Sequence, residues 1–404
     1  MKLLHTSDWH LGHTLYNYDR TEEQTDMLRQ IVEIVRQQKP DLFLLSGDVY
    51  HTAQPSAAVQ TLFAETMVQL HDAHPAMTIV VTAGNHDSGA KHEIFKTPWR
   101  ALKVHTIGNL EKEDPEQHII EVPDVGFVIA IPYVHERNLP EGFFQRTLDI
   151  VEARNTKGLP VVMMAHTTVQ GCDYTGHDDT YLDAEEQYRV GGIDATTLEE
   201  LGSGYDYLAL GHIHHEQFVL TGRHNVRYSG SPMAVSFDEN YAHSVSLVTI
   251  GRHDERPQVE TIEIQNIHPL VTLPTKGQTT WEEAKQLLQQ FPADIPAYIR
   301  LNIEIEDFLP PEANDEASAL TQEKQCRFCL IRAQRRERER TDAPAMTIQE
   351  FQAEEPIHIA QLYAEQRGGT FDDEMKRLFE EVVERIKEEE KEEEKEEGKE
   401  VTKN

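Results

Sequence analysis

The chain has 404 residues, 38% hydrophobic and 27% charged, a length and balance that predict two or three soluble globular domains. No apolar run nears the roughly 18 residues of a membrane-spanning helix. The early polar turn at Ser7-Asp8 leaves no room for the apolar stretch of a signal peptide, and three cysteines exclude a disulfide scaffold, so a cytoplasmic location is expected. The formal net charge is −33, and the Glu/Lys-rich tail beyond residue 371 accounts for only a small share of it. A chain this acidic repels phosphate backbones at long range. Any anionic substrate therefore has to be held by local groups, bound cations or a partner.

In chain order, Lys2–Thr6 reads as a buried strand. Thr21-Glu22-Glu23-Gln24 has the spacing of a capping box, followed by a helical stripe of Met27, Leu28, Ile31, Ile34 and Val35 that ends near Pro40. Asp41–Ser46 is a second buried strand. Val59, Leu62, Phe63, Met67 and Leu70 mark a second helix, and Thr78–Thr82 a third strand. Phe127–Ile131, Val161–Ala165 and Tyr207–Leu210 are further strand-length apolar runs, and from about Arg227 the pattern turns strand-rich, with Val245–Ile250 and Val259–Ile264. Near His268 the character changes: Thr280–Phe291 is helical in pattern, and Ala297–Ile305 and Gln325–Arg332 resemble strands. A polar stretch, Arg335–Pro344, reads as a linker. The chain then shows two helical patterns separated by Gly368-Gly369, the second with Phe371, Met375, Leu378, Phe379, Val382, Val383 and Ile386 on one face. The expected domains are therefore 1–267, an α/β unit; 268–340, a small α+β unit; 341–387, amphipathic helices suited to a partner's groove; and 388–404, a charged tail with nothing to bury.

The chemistry gathers where the apolar strands end. The first runs into Asp8 and His10, the second into Gly47-Asp48 with His51 beyond, the third into Gly84-Asn85-His86-Asp87, the fourth into His166, and the fifth into Gly211-His212-Ile213-His214. Ligand sites of open α/β sheets lie at the carboxyl ends of their strands. The i,i+2 spacing of Asp8/His10 and His212/His214 keeps each pair on one side of an extended segment. Carboxylates, an amide oxygen and imidazoles suit manganese, iron or zinc, and the absence of cysteine argues against structural zinc. Asp8, His10, Asp48, Asn85, His166, His212 and His214 are too many donors for one ion. They fit two ions about 4 Å apart, bridged by Asp48, as phosphoester hydrolysis uses.

Taken together, Asp8-x-His10, Gly47-Asp48, Gly84-Asn85-His86-Asp87, His166 and Gly211-His212-x-His214 resemble the calcineurin-like metallophosphoesterase superfamily. His5–Tyr16, Gly47–Ser56, Gly211–His214 and Arg227–Glu239 resemble in particular its SbcD branch, the nuclease subunits of bacterial SbcCD complexes. Gly-Asp is followed here by Val49-Tyr50-His51, unlike the Asp-Arg-Gly of the protein-phosphatase branch. The resemblance implies a two-sheet αββα sandwich with a small α+β capping domain that shapes a DNA groove, and C-terminal helices that dock the coiled-coil base of an SbcC-type ABC ATPase. It implies one ion on Asp8, His10, Asp48 and His214 and another on Asp48, Asn85, His166 and His212. Manganese is expected, with magnesium, iron and zinc also compatible. His86 would protonate the leaving sugar oxygen, and His51 would help orient His86 or steady the phosphate. The activity implied is double-strand exonuclease and single-strand or hairpin endonuclease cleavage in DNA repair, recombination and replication, by a homodimer within a heterotetramer. Competing expectations are a small-molecule or nucleotide phosphodiesterase, disfavoured by the capping unit, and a non-catalytic scaffold, disfavoured by the complete donor set.

Weaker signals complete the reading. Arg332, Arg335, Arg336, Arg338 and Arg340 form a basic cluster that could contact DNA, tether domains or face solvent between Glu337 and Glu339. Cys326 and Cys329 would point to opposite faces of a strand, without metal or redox chemistry. His5, His13, His177 and His215 are read as packing or surface residues, with His13 the best candidate to support the site from behind.

Overall fold

The structure, a computed structural model, describes residues 1–173, 195–219, 224–306, 308–336, 357–361, 371, 375–379 and 382–383. Met1–Gln334 form one compact unit and 335–404 another.

In the first unit, β1 (Lys2–Thr6), α1 (Thr21–Gln38), β2 (Leu42–Ser46), α2 (Ala57–Ala73), β3 (Thr78–Thr82) and β4 (Val104–Ile107) alternate. A second set follows: β5 (Ile119–Val122), β6 (Gly126–Ala130), β7 (Val161–His166), β8 (Tyr207–Gly211), β9 (Gln217–Phe218) and β10 (Val226–Tyr228). The chain then returns to the first sheet through β11 (Ser244–Thr249) and β12 (Gln258–Glu263). The first sheet runs β12-β11-β1-β2-β3-β4 and the second β5-β6-β7-β8-β10-β9. Their central strands are parallel.

Strands buried on both faces explain why the sequence shows continuous apolar runs rather than alternation. Leu4, Phe43, Leu45, Ile79 and Val81 face the helix stripe of Met27, Leu28, Ile31 and Val35. The intervening Leu3, Leu42, Leu44 and Val80 face Val128, Ala130, Val162, Met164 and Ala209 of the other sheet. Three stacked cores result, the third between the second sheet and the helix Phe143–Arg154. This is the expected αββα sandwich.

Most elements lie where the apolar pattern puts them, but the start of α1 does not follow the capping-box reading. Arg20 is the N-cap and its side chain makes no capping bond. Gln24, the expected reciprocal partner, is buried and turns away: its Oε1 accepts from Gly12 N at 3.0 Å and its Nε2 donates to the carbonyls of His10 and His13. Tertiary demand from the loop carrying His10 outweighs the local cap. The helix ends as expected, with Lys39 left-handed ahead of Pro40.

A third sheet, β13 (Leu270–Leu273), β14 (Tyr298–Ile305) and β15 (Arg327–Arg335), carries the helices Trp281–Gln290 and Ala313–Thr321 around its own core. Thr280 and Glu283 form a true capping box at the first of these. Arg335 ends β15 instead of opening a linker, and the rest of the expected linker, 337–344, lies outside the described residues.

A polar joint ties this sheet to the sandwich. Tyr298 donates to the buried Glu23 at 2.6 Å, Arg327 stacks over Tyr18, and Arg300 and Arg332 both reach Asp238, at 2.6 and 3.1 Å. Arg332 therefore acts as a tether. Arg338 and Arg340 lie outside the described residues.

Candidate metal centre

The carboxyl ends of β1, β2, β3, β7 and β8 meet at one edge of the sandwich, because parallel pairing keeps them level: Ser46 sits opposite Thr82, and His166 opposite Gly211. The turns after β1 and β2 zip together through Asp8 N to Gly47 O, His10 N to Asp48 O and Leu11 N to Val49 O, at 3.0–3.1 Å. The two sheets nearly touch here. A Cβ on Gly211 would come within 1.8 Å of the Ser46 carbonyl oxygen, and one on Gly47 within 2.1 Å of His166 Nδ1. Glycine is required at both positions by close approach.

The i,i+2 pairs converge for a different reason from the one expected. Asp8, His10, Asp48 and His212 have φ of 53°, 44°, 48° and 97°, so they lie in left-handed turns and not on extended strand. Four non-glycine residues in this sparsely populated region at one edge hold strain that the packed turns sustain, a pattern concentrated at functional sites.

Every expected donor arrives at this edge. Asp8, His10, Asp48, His166 and His214 are buried, while Asn85 is exposed. Asp8, His10 and His214 offer donor atoms within 4.8 Å of one another, as do Asp8, Asp48 and His166, and as do His10, His51 and His86. Asp48 Oδ2 stands between the sets, 3.7 Å from His10 Nε2 and 3.4 Å from His166 Nε2. Asn85 Oδ1 lies 2.9 Å from His166 Nε2 and 3.2 Å from His212 Nδ1.

Two of the aiming nitrogens, on His166 and His214, are fixed from behind. His166 Nδ1 donates to the Ser46 carbonyl at 2.9 Å, which turns Nε2 towards Asp48. His214 Nδ1 pairs with the buried carboxylate of Glu239 at 3.0 Å, turning Nε2 towards His10. Asp8 accepts from the His212 backbone N–H at 3.0 Å, and Asp48 accepts from that of His86 at 2.9 Å. Asp87 belongs to the scaffold: it accepts from the backbone of Val49, Tyr50 and Gly84.

Electrostatics follows from these contacts. Burial raises the Asp8 carboxyl above the usual range. Burial alone would raise Asp48 too, but the imidazoles of His166 and His10 hold it well below. Burial pushes His166 and His214 down, yet Asp48 beside the first and Glu239 beside the second outweigh it and lift both to about 9. His10 has no such excess of anions, and burial holds it well below the ordinary value.

The donor set fits divalent cations. Two buried carboxylates require positive charge close by. His10 Nε2 and His214 Nε2 face each other at 3.1 Å, and His10 Nδ1 is buried without a hydrogen-bond partner. Imidazole nitrogens brought this close beside two buried carboxylates form a cradle that a divalent cation would fill. Nitrogen and oxygen donors without sulfur match the borderline-hard ions expected.

Residues 1–216 match the family model described as calcineurin-like phosphoesterase. The chain is 30% identical over 412 aligned positions to the SbcD subunit of the SbcCD nuclease of Bacillus subtilis (strain 168), covering 95% of this chain and 97% of that protein. It belongs to the calcineurin-like phosphoesterase family, in its SbcD branch. The SbcD subunits from Rhodobacter capsulatus, 30% identical over 69% of this chain and 72% of theirs, and from Escherichia coli K12, 27% identical over 88% and 91%, agree. Membership makes the chain a hydrolase acting on phosphodiester bonds, and the family implies divalent metal ions.

The supporting residues behind this metallophosphoesterase site were beyond sequence reading. Glu239 and Gln24 are distant acid and amide side chains whose roles appear only on folding. His13 is an exception: its ring meets His51 edge-on at 4.7 Å, in the supporting position expected of it. His5 is packed against Tyr207, with Nδ1 3.0 Å from the hydroxyl, and His215 stacks on Tyr241 at 4.2 Å. His177 lies outside the described residues. Cys326 and Cys329 belong to separate cores, and burial raises both thiols, Cys329 to about 12.

Proposed function

We propose that the chain is the nuclease subunit of an SbcCD-type complex and cuts DNA phosphodiesters with two divalent cations, manganese foremost. The observation that carries this reading is the convergence of seven donors from five strand ends in a chain aligned with SbcD subunits over nearly its whole length. Asp8, His10, Asp48 and His214 would hold one ion, and Asp48, Asn85, His166 and His212 the other. Held there, the ions would supply charge neutralisation of the phosphodiester and a nucleophile at neutral pH.

The chain's own residues do the rest. His86 Nδ1–H donates to the His51 carbonyl at 2.9 Å, which leaves Nε2 to carry a proton to the departing sugar oxygen. The His51 ring stacks on His86 at 5.7 Å and steadies it. Asp48 links the two functions, since it accepts the His86 backbone N–H while standing between the ligand sets.

The partner reading rests on the C-terminal stripe. Met375, Leu378 and Val382 are all more than half exposed, an apolar face suited to the coiled-coil base of an SbcC-type ATPase. Ile386 of that stripe lies outside the described residues. Ile94 and Phe95, adjacent and exposed at 69% and 47%, offer an apolar contact for homodimerisation within a heterotetramer. Among the described residues no helix is long and apolar enough to cross a membrane. Exonuclease action on duplex ends and endonuclease action on hairpins, in cytoplasmic DNA repair, recombination and replication, complete the proposal.

The test is cleavage of a hairpin DNA and of a generic phosphodiester by the full chain with its ATPase partner, with manganese and with EDTA. The expected result is manganese-dependent hairpin cutting far above turnover of the generic diester. Turnover of the small diester alone would move the chain to the phosphodiesterase reading, and no turnover of either would support a scaffold.

A further inference from the structure

We propose that Tyr133 and Arg137 grip the nucleotide next to the scissile phosphate, with its base on the tyrosine ring and its neighbouring phosphate on the guanidinium. The inference rests on the nuclease reading and adds to it a binding subsite.

The subsite is a cleft of about 320 Å³, within the size range of small-ligand pockets. One wall is the metal centre itself, through Asn85 and His212. The opposite wall is the loop after β6, which contributes Tyr133, His135 and Arg137. That loop is pinned in place: Ile131 N donates to Met164 O at 3.1 Å, Tyr133 N to Ala83 O at 2.8 Å, and Asn138 N to His135 O at 2.7 Å. The Tyr133 bond anchors it to the turn that carries Asn85, so the two walls keep a fixed spacing.

Chemistry selects the occupant. The Tyr133 and His166 rings meet in a T-shaped contact with centroids 6.3 Å apart, and Tyr133 is 39% exposed. A tyrosine more than a third exposed beside a phosphoester site is the kind of side chain on which nucleobases stack without sequence preference. Arg137 is exposed on the same wall. In a chain with 71 acidic residues, no described lining residue of this cleft is acidic. A cation at the rim and described lining residues without a carboxylate favour an anionic occupant, and a guanidinium is the side chain best shaped for phosphate. A base and a phosphate side by side are one nucleotide of the substrate strand.

The experiment scans a single abasic site along an oligonucleotide substrate of the manganese-loaded full chain and its ATPase partner. For the wild type, removing the base that seats on Tyr133 should raise KM about tenfold at one position beside the cut, the size of one base–aromatic stack. Tyr133→Ala should show the raised KM with the intact strand and lose sensitivity to the abasic site at that position. Tyr133→Phe should restore both behaviours, because stacking needs the ring and not the hydroxyl. In parallel, Arg137→Ala should become insensitive to a neutral methylphosphonate at the adjacent linkage. An abasic profile that is the same in Tyr133→Ala and wild type overturns the subsite while leaving the nuclease reading intact. A wild type that cuts no oligonucleotide overturns the nuclease reading, and the subsite with it.

Discussion

Glu239→Ala tests whether the strength of the metal centre lies partly behind its ligands. The Glu239 carboxylate is buried, and it accepts from His214 Nδ1 at 3.0 Å, Val235 N at 3.3 Å and Ser231 Oγ at 3.5 Å. Truncation leaves a buried imidazole N–H and a backbone N–H without their acceptor, at about 1–3 kcal/mol each in stability. It also frees the His214 ring to rotate, so Nε2 no longer faces His10. Removing a carboxylate behind a ligating histidine typically weakens metal binding about 10–100-fold, or about 1.4–2.7 kcal/mol. Glu239→Gln keeps an acceptor oxygen and the shape but not the charge, so its loss should fall between wild type and Ala. The assay is calorimetric titration of manganese into EDTA-stripped protein, with thermal unfolding in EDTA to separate stability from affinity. A folded Glu239→Ala that binds manganese as tightly as wild type would refute the reasoning.

Three further outcomes follow from the same geometry. His86→Ala should keep its manganese stoichiometry while DNA cleavage falls by about 10²–10⁴-fold, the usual contribution of a positioned acid; metal counting beside a gel assay checks both. Gly47→Ala forces a Cβ to within 2.1 Å of His166 Nδ1 at φ +82°, and should cost about 2 kcal/mol or more in stability together with metal affinity, measurable by thermal unfolding and titration. His5 is held neutral in the core, its imidazole pushed down to about 3 by burial and by Arg227. Because the folded value lies below the unfolded one, its contribution is complete above about pH 6.5 and is lost as pH falls towards 3. His5→Gln should flatten that part of the acid unfolding curve, and an unchanged acid limb would contradict the assignment.

The sandwich was legible because its strands are buried on both faces. Runs such as Leu42–Ser46 and Val161–Ala165 admit few other readings, and each ends in a residue with chemistry. The gathering of these side chains at one edge was legible for the same reason, since parallel strands of matched register bring their ends level. What escaped was whatever depends on distant contacts. The left-handed turns at Asp8, His10, Asp48 and His212 leave no mark in the spacing, which is equally compatible with extended chain. Thr21–Gln24 has the composition of a cap, yet Gln24 is taken by the His10 loop, 11 to 14 residues away. Glu239 is one acid among 71, and only folding shows it behind His214. β4 and β5 were missed because four residues are too few to show a period, and the helix Ala313–Thr321 because it is short and mostly exposed.

The central claim is that donors scattered over more than 200 residues converge on a shared pair of cations. Anomalous diffraction at the manganese edge, from crystals grown with excess manganese, tests it most directly. Two peaks about 4 Å apart at this edge of the sandwich, with Asp48 touching both, are predicted. A single peak, or two peaks with Asp48 bound to neither, would contradict it.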